Sequence, residues 1–218
     1  MKLKHFGLIL SMTMVMFLAA CGNNPAENMY THMEKAVVLE EVFEQQQEPL
    51  IVAEKKEHEL YEQIIKLGMS EYEEIVDLSQ QAIAIVQERK QLMDKEKMSI
   101  EAGYEEFLNI EPEIEELKDE ELKNFALQLK ETMTNRHESY QVLYDEYDMA
   151  LSLDEELYTM LQQEDLTIDE LQEKIDEINE AYERVMEAKD VFNELTEAYN
   201  EKKKEFYTIA ELDITFVD

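Results

Sequence analysis

The stretch TIDELQEKIDEINEAYERVMEAKDVFNELTEAYNEKKKEFYTI, residues 167–209, decides the fold of this chain. Its apolar residues recur every three or four positions, which is the spacing of one face of an α-helix. They are Ile168, Leu171, Ile175, Ile178, Tyr182, Val185, Phe192, Leu195, Tyr199, Phe206 and Ile209. Thr167 and Glu170 have the spacing of a capping box. The stretch therefore predicts one long helix that starts at residue 168 and buries a single face.

The same spacing predicts a first helix that begins near residue 25. Asn24 is a suitable N-cap and Pro25 a suitable first residue, while Gly68 is placed to end the helix. The predicted stripe, interrupted only at Gln46 and Glu57, comprises Ala36, Leu39, Phe43, Leu50, Ala53, Leu60, Ile64 and Leu67. Pro49 is expected to kink this helix, because proline removes one backbone hydrogen bond.

A second and a third helix follow from the next two stripes. The second starts at a Ser70 capping box and is expected to end before Pro112, because the residue before a proline avoids the helical conformation. Within it, Gly103 costs about 1 kcal/mol relative to alanine. The third helix is expected to start between Pro112 and Asp119 and to end near Glu164.

Four long helices joined by short links place sequence neighbours antiparallel. The sequence thus predicts an all-α fold, a long antiparallel up-and-down four-helix bundle with left-handed packing, over residues 25–210, followed by a C-terminal tail at 211–218. A continuous coiled-coil dimer is the alternative, and the turn signals near residues 68, 112 and 166 argue against it.

Residues 1–20 have the features of a signal peptide, with two early lysines followed by an apolar run. The run is ~22 Å long as a helix, too short to cross a ~30 Å hydrocarbon core comfortably. Leu18, Ala19, Ala20 and Cys21 resemble a bacterial lipobox, in which the peptide is cleaved before a lipidated cysteine. We expect Cys21 to be lipidated, residues 21–24 to form a short tether, and the protein to sit on the outer face of the cytoplasmic membrane. The alternative is a free thiol at the end of an uncleaved transmembrane helix.

The chain is strongly acidic, with 53 Asp and Glu residues against 20 Lys and Arg residues. Removal of residues 1–20 takes away Lys2 and Lys4 and no acid, so the net charge changes from -33 to -35. Such a surface repels phosphate backbones, which excludes nucleic acid as a partner.

Motifs for catalysis or cofactor binding are absent from the sequence. His32, His58 and His137 lack the spacing of di-iron and zinc-protease motifs, and no phosphate-binding or nucleophile-elbow motif occurs. Acidic runs such as residues 111–116 are typical of solvated helix faces. We expect no catalytic residues, no metal and no cofactor.

Polar residues at core positions form what we call the polar seam: Arg89, Arg136 and Asp154. They are typical of ion pairs between helices that fix register. They could also line a pocket for a small ligand or for an enzyme's substrate.

The chain resembles the YkyA-like cell-wall-binding lipoproteins of bacilli and staphylococci. The stretches that carry the resemblance are MYTHMEKAVVLEEVFEQQQEPL (29–50), ELYEQIIKLGMSEYEEI (59–75) and AIVQERKQLMDKEKMSIEA (84–102). The resemblance implies a helical bundle outside the membrane that contacts the wall, and it brings no catalytic residues. We therefore expect a non-enzymatic envelope lipoprotein whose partners are the membrane, through its lipid, and peptidoglycan or a wall-associated protein.

Overall fold

The computed structural model describes residues 24–214. In this part of the chain, six α-helices follow one another: α1 Pro25–Leu39, α2 Glu41–Ile64, α3 Tyr72–Phe107, α4 Ile110–Glu116, α5 Glu120–Met160 and α6 Ile168–Ile209. A single 3₁₀ turn, Met69–Glu71, precedes α3. The proposed signal peptide, with Leu18, Ala19, Ala20 and Cys21, lies outside the described residues.

The long helices form an antiparallel up-and-down bundle, in which α1 and α2 together make the first arm and α3, α5 and α6 make the others. The prediction of an all-α four-helix bundle is confirmed. At one end, the Tyr72 hydroxyl donates to the backbone oxygen of Gln162 and joins the start of α3 to the end of α5 (2.7 Å). At the opposite end, α1 packs against α3 and α4 beside the end of α6.

Three buried clusters fill the bundle from end to end. The cluster beside the described N-terminus contains residues such as Met29, Met33, Phe107, Ile110, Leu129 and Phe206. A small middle cluster contains Phe43, Ile100, Tyr140 and Phe192. The third cluster extends to the far end and includes Leu50, Ile64, Ile75, Ile85, Leu151 and Val185. The charged residues described below lie between and beside these apolar layers.

Local capping starts the helices where the sequence predicts. The Asn24 side chain accepts from the N–H of Ala26 (3.2 Å) at the start of α1. Thr167 and Glu170 form the expected capping box at the start of α6. Asp119, at the limit of the predicted range, caps α5 by accepting two backbone N–H groups. These predictions are confirmed because capping depends on residues within one turn.

The connection before α3 differs from the prediction. α2 ends at Ile64, and Gly68 begins the 3₁₀ turn instead of ending the helix. The Glu71 carboxylate accepts from the Gly68 N–H (3.0 Å), so the capping interaction lies two residues before the predicted Ser70 box. The capping interaction forms here because the Glu71 side chain is one turn after Gly68 and can accept from its backbone N–H.

α3 ends at Phe107, before Pro112 as predicted. The predicted cause is wrong, because Glu111 is helical in α4 and the end of α3 is not set by Pro112. Pro112 is the third residue of α4, where an α-helix requires no backbone N–H from it, so the proline is accommodated in the first turn. The first predicted helix is interrupted at Glu40, and α2 continues through Pro49.

The ends of the α6 stripe are more exposed than predicted. Ile168 is 84% exposed and Ile209 is 41% exposed, whereas Val185, Phe192, Tyr199 and Phe206 are buried. Ile168 is the first residue of α6, so it lies at the end of the bundle where less protein surrounds it.

Candidate functional site

The interruption at Glu40 is held by a serine of the neighbouring helix. The Ser99 hydroxyl in α3 donates to the Leu39 carbonyl (2.7 Å) and accepts from the N–H of Phe43 (3.2 Å). These are backbone groups beside the interruption between α1 and α2. The Phe43 N–H also donates to the Glu40 carbonyl (3.0 Å), so Ser99 matters most as the donor to the Leu39 carbonyl. Because Ser99 is buried, this pairing avoids the cost of unsatisfied polar groups.

Gly103 makes room for the Glu40 side chain. A Cβ atom at Gly103 would lie 2.6 Å from Glu40 Cγ and 3.2 Å from the Ala36 carbonyl oxygen. The glycine therefore permits a side chain to cross close to the α3 backbone. This accounts for a residue that is unfavourable in a helix interior by propensity alone.

Glu40 crosses α3 to reach Arg136 of α5. The Arg136 Nη1 and Nη2 atoms donate to the two Glu40 carboxylate oxygens at 2.8 and 2.7 Å, and Nε donates to Thr196 Oγ1 at 3.0 Å. The guanidinium also lies 5.1 Å from the ring centre of Phe192. Burial alone would lower the pKa of Arg136, but the Glu40 charge and hydrogen bonds raise it above its ordinary value. We call these residues the Arg136 layer.

Arg89 of α3 is surrounded by side chains from the other three arms. Its Nη1 atom donates to Glu57 of α2 (2.6 Å) and lies 3.4 Å from the Asp154 carboxylate of α5. Its Nη2 atom donates to the hydroxyls of Tyr147 (2.7 Å) and of Tyr182 in α6 (3.0 Å). Arg89, these four residues, Glu54 and Tyr158 form the Arg89 layer.

The remaining groups of the Arg89 layer are joined to each other. Tyr182 donates to Asp154 (2.5 Å), Tyr147 donates to Glu54 (2.6 Å), and Tyr158 donates to Glu57 (3.3 Å). Within residues 24–214, Arg89 Nε is one of three buried side-chain polar atoms without a hydrogen-bond partner, with Ser79 Oγ and Tyr140 Oη.

Carboxylates outnumber cations in the Arg89 layer, since Glu54, Glu57 and Asp154 face one guanidinium. Burial raises the pKa of Asp154 to about 6, aided by the negative charge of Glu57. Burial also raises the pKa of Glu57, even though the Arg89 charge opposes this shift. The layer therefore changes its charge in the weakly acidic pH range.

Glu96 is a buried acid between the two layers. It is 3% exposed and accepts from the Gln47 side-chain amide of α2 (2.5 Å). Burial, together with the charge of Glu54, raises the pKa of Glu96 to about 8. The carboxyl group is therefore largely protonated at neutral pH.

All three polar-seam residues are buried, with exposures of 3% for Arg89, 4% for Arg136 and 5% for Asp154. Arg89 and Asp154 lie in one layer, and Arg136 lies in the other. Their hydrogen bonds go to side chains of the bundle itself, which is the arrangement of register-fixing ion pairs. Two open surface grooves, one beside Pro112 and Lys130 and one beside Lys90 and Lys174, include none of the three.

Sequence reasoning missed Glu40, Glu96 and Ser99. Glu57 was visible as an interruption of the first apolar stripe, and Glu96 interrupts the second stripe between Met93 and Ile100 in the same way. A polar residue at a core position was therefore the available signal. Neither stripe, however, indicates which charged residue on another helix will pair with it.

The three histidines within the described residues lie apart from each other. His32 contacts Glu106 (2.8 Å), His58 is exposed beside Glu62, and His137 stacks on Tyr104 with ring centres 4.0 Å apart. Burial lowers the pKa of His137. In residues 24–214, no group of three or more His, Cys, Asp or Glu side chains is arranged to hold a metal ion.

The geometry defines a class of protein: an all-helical bundle whose central charges are engaged in internal ion pairs. Residues 24–209 match the family described as "Putative cell-wall binding lipoprotein" (YkyA). The chain belongs to this family. None of the helices between residues 24 and 214 is long and apolar enough to cross a membrane.

A relative supports this assignment, and a solved structure shows the same fold. The "Uncharacterized lipoprotein YkyA" of Bacillus subtilis (strain 168) is 34% identical over 163 residues, which cover 74% of this chain and 73% of the relative. The 1.6 Å crystal structure of a conserved protein of unknown function from Staphylococcus aureus has a TM-score of 0.61 at 13% identity. The match covers 83% of this chain and 91% of that one, and it shows the shared fold.

Proposed function

We propose that the protein is a non-enzymatic envelope lipoprotein whose bundle binds peptidoglycan or a wall-associated protein. In this proposal, lipid on Cys21 anchors it at the outer face of the bacterial cytoplasmic membrane. The family description supports contact with the wall. Two acyl chains on one cysteine would be sufficient for a stable anchor, whereas one chain binds only marginally.

The observation that carries the proposal is the placement of the two ends of the bundle. α1 begins at Pro25, four residues after Cys21, and the α3–α4 and α6 ends pack against it. The turns near Gly68 and Leu166 lie at the opposite end. Because α5 has 41 residues at 1.5 Å each, the two ends are ~60 Å apart. An anchored chain would therefore extend from the membrane towards the wall.

Charge restricts the kind of wall contact. With a net charge of -35 after cleavage, direct binding to anionic wall polymers would require divalent cations as bridges. Uncharged glycan or a basic protein surface would not require them. The alternative of a ligand or substrate pocket in the polar seam is less favoured, because Arg89 and Arg136 already pair with buried or half-buried carboxylates.

Retention on isolated walls tests the proposal. Mature protein extracted from membranes is sedimented with purified walls, either with millimolar Mg²⁺ or with a chelator, and an acidic helical protein of similar charge is the control. We expect specific retention. Retention in chelator indicates peptidoglycan or protein contact, whereas retention only with Mg²⁺ indicates bridging to anionic polymers. No retention in either buffer would contradict wall binding.

A further inference from the structure

An exposed aliphatic stripe runs along one side of α1 and α2. Val38 is 60% exposed, Val42 is 40% exposed, Val52 is 60% exposed, and Pro49 is exposed between them. Val38 lies in α1, before the interruption at Glu40. Within α2, Val42, Gln45, Pro49 and Val52 are spaced 3, 4 and 3 positions apart. This is the repeat of a coiled-coil contact face. We call Val38, Val42, Pro49 and Val52 the apolar flank.

The apolar flank is distinct from the surface that packs on α3. Gln47 and Glu54 contact Glu96 and Arg89 of α3. Each lies five residues after a member of the flank, Val42 or Pro49, which turns the helix by about 140°. The flank therefore faces away from α3, and its exposure shows that α6 does not cover it.

The surroundings of the flank indicate the chemistry of what would cover it. Between Val38 and Val52, the exposed charged residues are Glu41, Glu44 and Glu48, and the segment contains no lysine or arginine. A second copy of this chain would place glutamates against glutamates, with a net charge of -35 on each copy. Like charges across a helical contact oppose pairing, whereas Lys or Arg on the partner would favour it.

We propose that the apolar flank docks an amphipathic helix of another envelope protein, with apolar residues at 3.5-residue spacing and Lys or Arg beside them. Helix recognition of this kind uses apolar anchors on one face for affinity and flanking charges for choice of partner. The inference rests on the proposed function in its protein-binding form. It adds the surface used and the class of partner.

A pair of model helices tests this surface in solution. One synthetic peptide carries Leu at the a and d positions and Lys at e and g, and its counterpart carries Glu at e and g. The protein variant Val42→Asp/Val52→Asp is compared with Val142→Asp/Met149→Asp on α5, where the side chains are 55% and 52% exposed. Binding is measured by fluorescence anisotropy in 0.3 M salt, which screens general attraction between distant charges.

We expect the Lys peptide to bind wild type at least tenfold more tightly than the Glu peptide does. The flank variant should lose at least tenfold in affinity, and the α5 variant should match wild type. Circular dichroism should show equal helicity in both variants, because all four substituted residues are exposed. Equal loss in the two variants, or no binding by wild type, would contradict the proposal. The proposal would also be contradicted if sedimentation equilibrium showed that wild type is a dimer and that the flank variant is a monomer.

A photo-crosslinking residue at position 42 tests the partner in living cells, with position 142 as the control. We expect position 42 alone to give crosslinks, and mass spectrometry should place them in basic amphipathic helical segments. Crosslinks only to glycan, only to lipid, or equally at both positions would contradict the inference, as would none. If position 42 gives no crosslinks and the flank variant is still retained on walls, the inference fails while the proposed function stands. If wild type itself is not retained on walls, the proposed function is overturned.

Discussion

The Arg136 layer and the Arg89 layer both pair a buried guanidinium with carboxylates, but they use different numbers of partners. Both place a guanidinium in the centre of the bundle with less than 5% exposure. Arg136 meets one carboxylate, Glu40, through two hydrogen bonds. Arg89 meets three carboxylates and two tyrosine hydroxyls. One layer is balanced in charge, whereas the other carries an excess of acid.

This difference separates two roles of buried charge. The Arg136 layer fixes the interruption between α1 and α2, since Glu40 reaches its partner only where that backbone is interrupted and Gly103 leaves space. The Arg89 layer joins α2, α3, α5 and α6 at one level, at the cost of carboxylates whose pKa values are raised. Together the layers fix the register of the helices at two heights, and only the Arg89 layer should respond strongly to pH.

The largest expected effect is the loss of Arg89. Arg89→Met leaves Glu57 and Asp154 buried without their cation, and we expect it to lower the free energy of unfolding by about 3–5 kcal/mol at pH 8. The loss should be smaller at pH 5, because Asp154, with a pKa of about 6, is then mostly protonated. Urea unfolding followed by circular dichroism measures both values.

Arg184→Met is the matched control for this substitution. Arg184 pairs with Glu146 on the surface, with 42% of its side chain exposed, so its loss should cost less than about 1 kcal/mol. A similar small cost for Arg89→Met would show that the Arg89 layer does not hold the helices together.

The next effect concerns Glu96 and pH. Its pKa is about 8 in the folded chain, against about 4.3 for an unperturbed glutamate. Between these values, the folded protein keeps a proton that the unfolded chain has released, so stability falls as pH rises and levels off above about 8. We expect wild type to lose up to about 3 kcal/mol more than Glu96→Gln between pH 5 and pH 8. Parallel stability curves for the two proteins would contradict the buried-acid assignment.

A substitution in the balanced layer should have an intermediate effect. In Gly103→Ala, the added Cβ would meet Glu40, and we expect a loss of about 1–3 kcal/mol despite the better helix propensity of alanine. Most of this cost should disappear in a Glu40→Ala background. Gly68→Ala is the control, because its nearest atoms are 4.0 Å from a new Cβ. If the losses of stability from Gly103→Ala and Glu40→Ala simply add in the double variant, Gly103 is not needed to make room for Glu40.

The smallest effect is expected at the interruption itself. Ser99→Ala removes the partner of the Leu39 carbonyl and one of the two acceptors of the Phe43 N–H, which keeps its bond to the Glu40 carbonyl. It should cost about 1–2 kcal/mol in denaturant unfolding.

Ser152→Ala is the control: it loses the exposed bond to the Asp148 carbonyl within one helix and the bond from Lys90 Nζ, which keeps its pair with Glu155. Its cost should stay below about 1 kcal/mol. Equal effects of the two substitutions would remove the role given to Ser99.

Local signals predicted the helix starts, and tertiary contacts explain what they missed. Asn24, Asp119 and Thr167 act within one turn, so their capping could be predicted from neighbouring residues. The interruption at Glu40 depends on Ser99, which is 59 positions away in the chain. Pro49 is the stronger local signal for an interruption, yet the interruption lies at Glu40, where partners from other helices stabilise it.

The polar seam was predictable as a set of positions but not as two layers. Arg89, Arg136 and Asp154 stand out because they interrupt apolar stripes. Their partners are set by helix register and by which arms are adjacent, which no single stripe specifies. Glu96 shows the same limit, since its raised pKa follows from burial beside Glu54 and not from its immediate neighbours in sequence.

The proposed membrane anchor is tested most directly by the mass of the N-terminal peptide of protein extracted from cell membranes. The account predicts that this peptide begins at Cys21 and carries a diacylglyceryl group on the sulfur. A peptide that still contains residues 1–20, or a Cys21 with an unmodified thiol, would contradict the account.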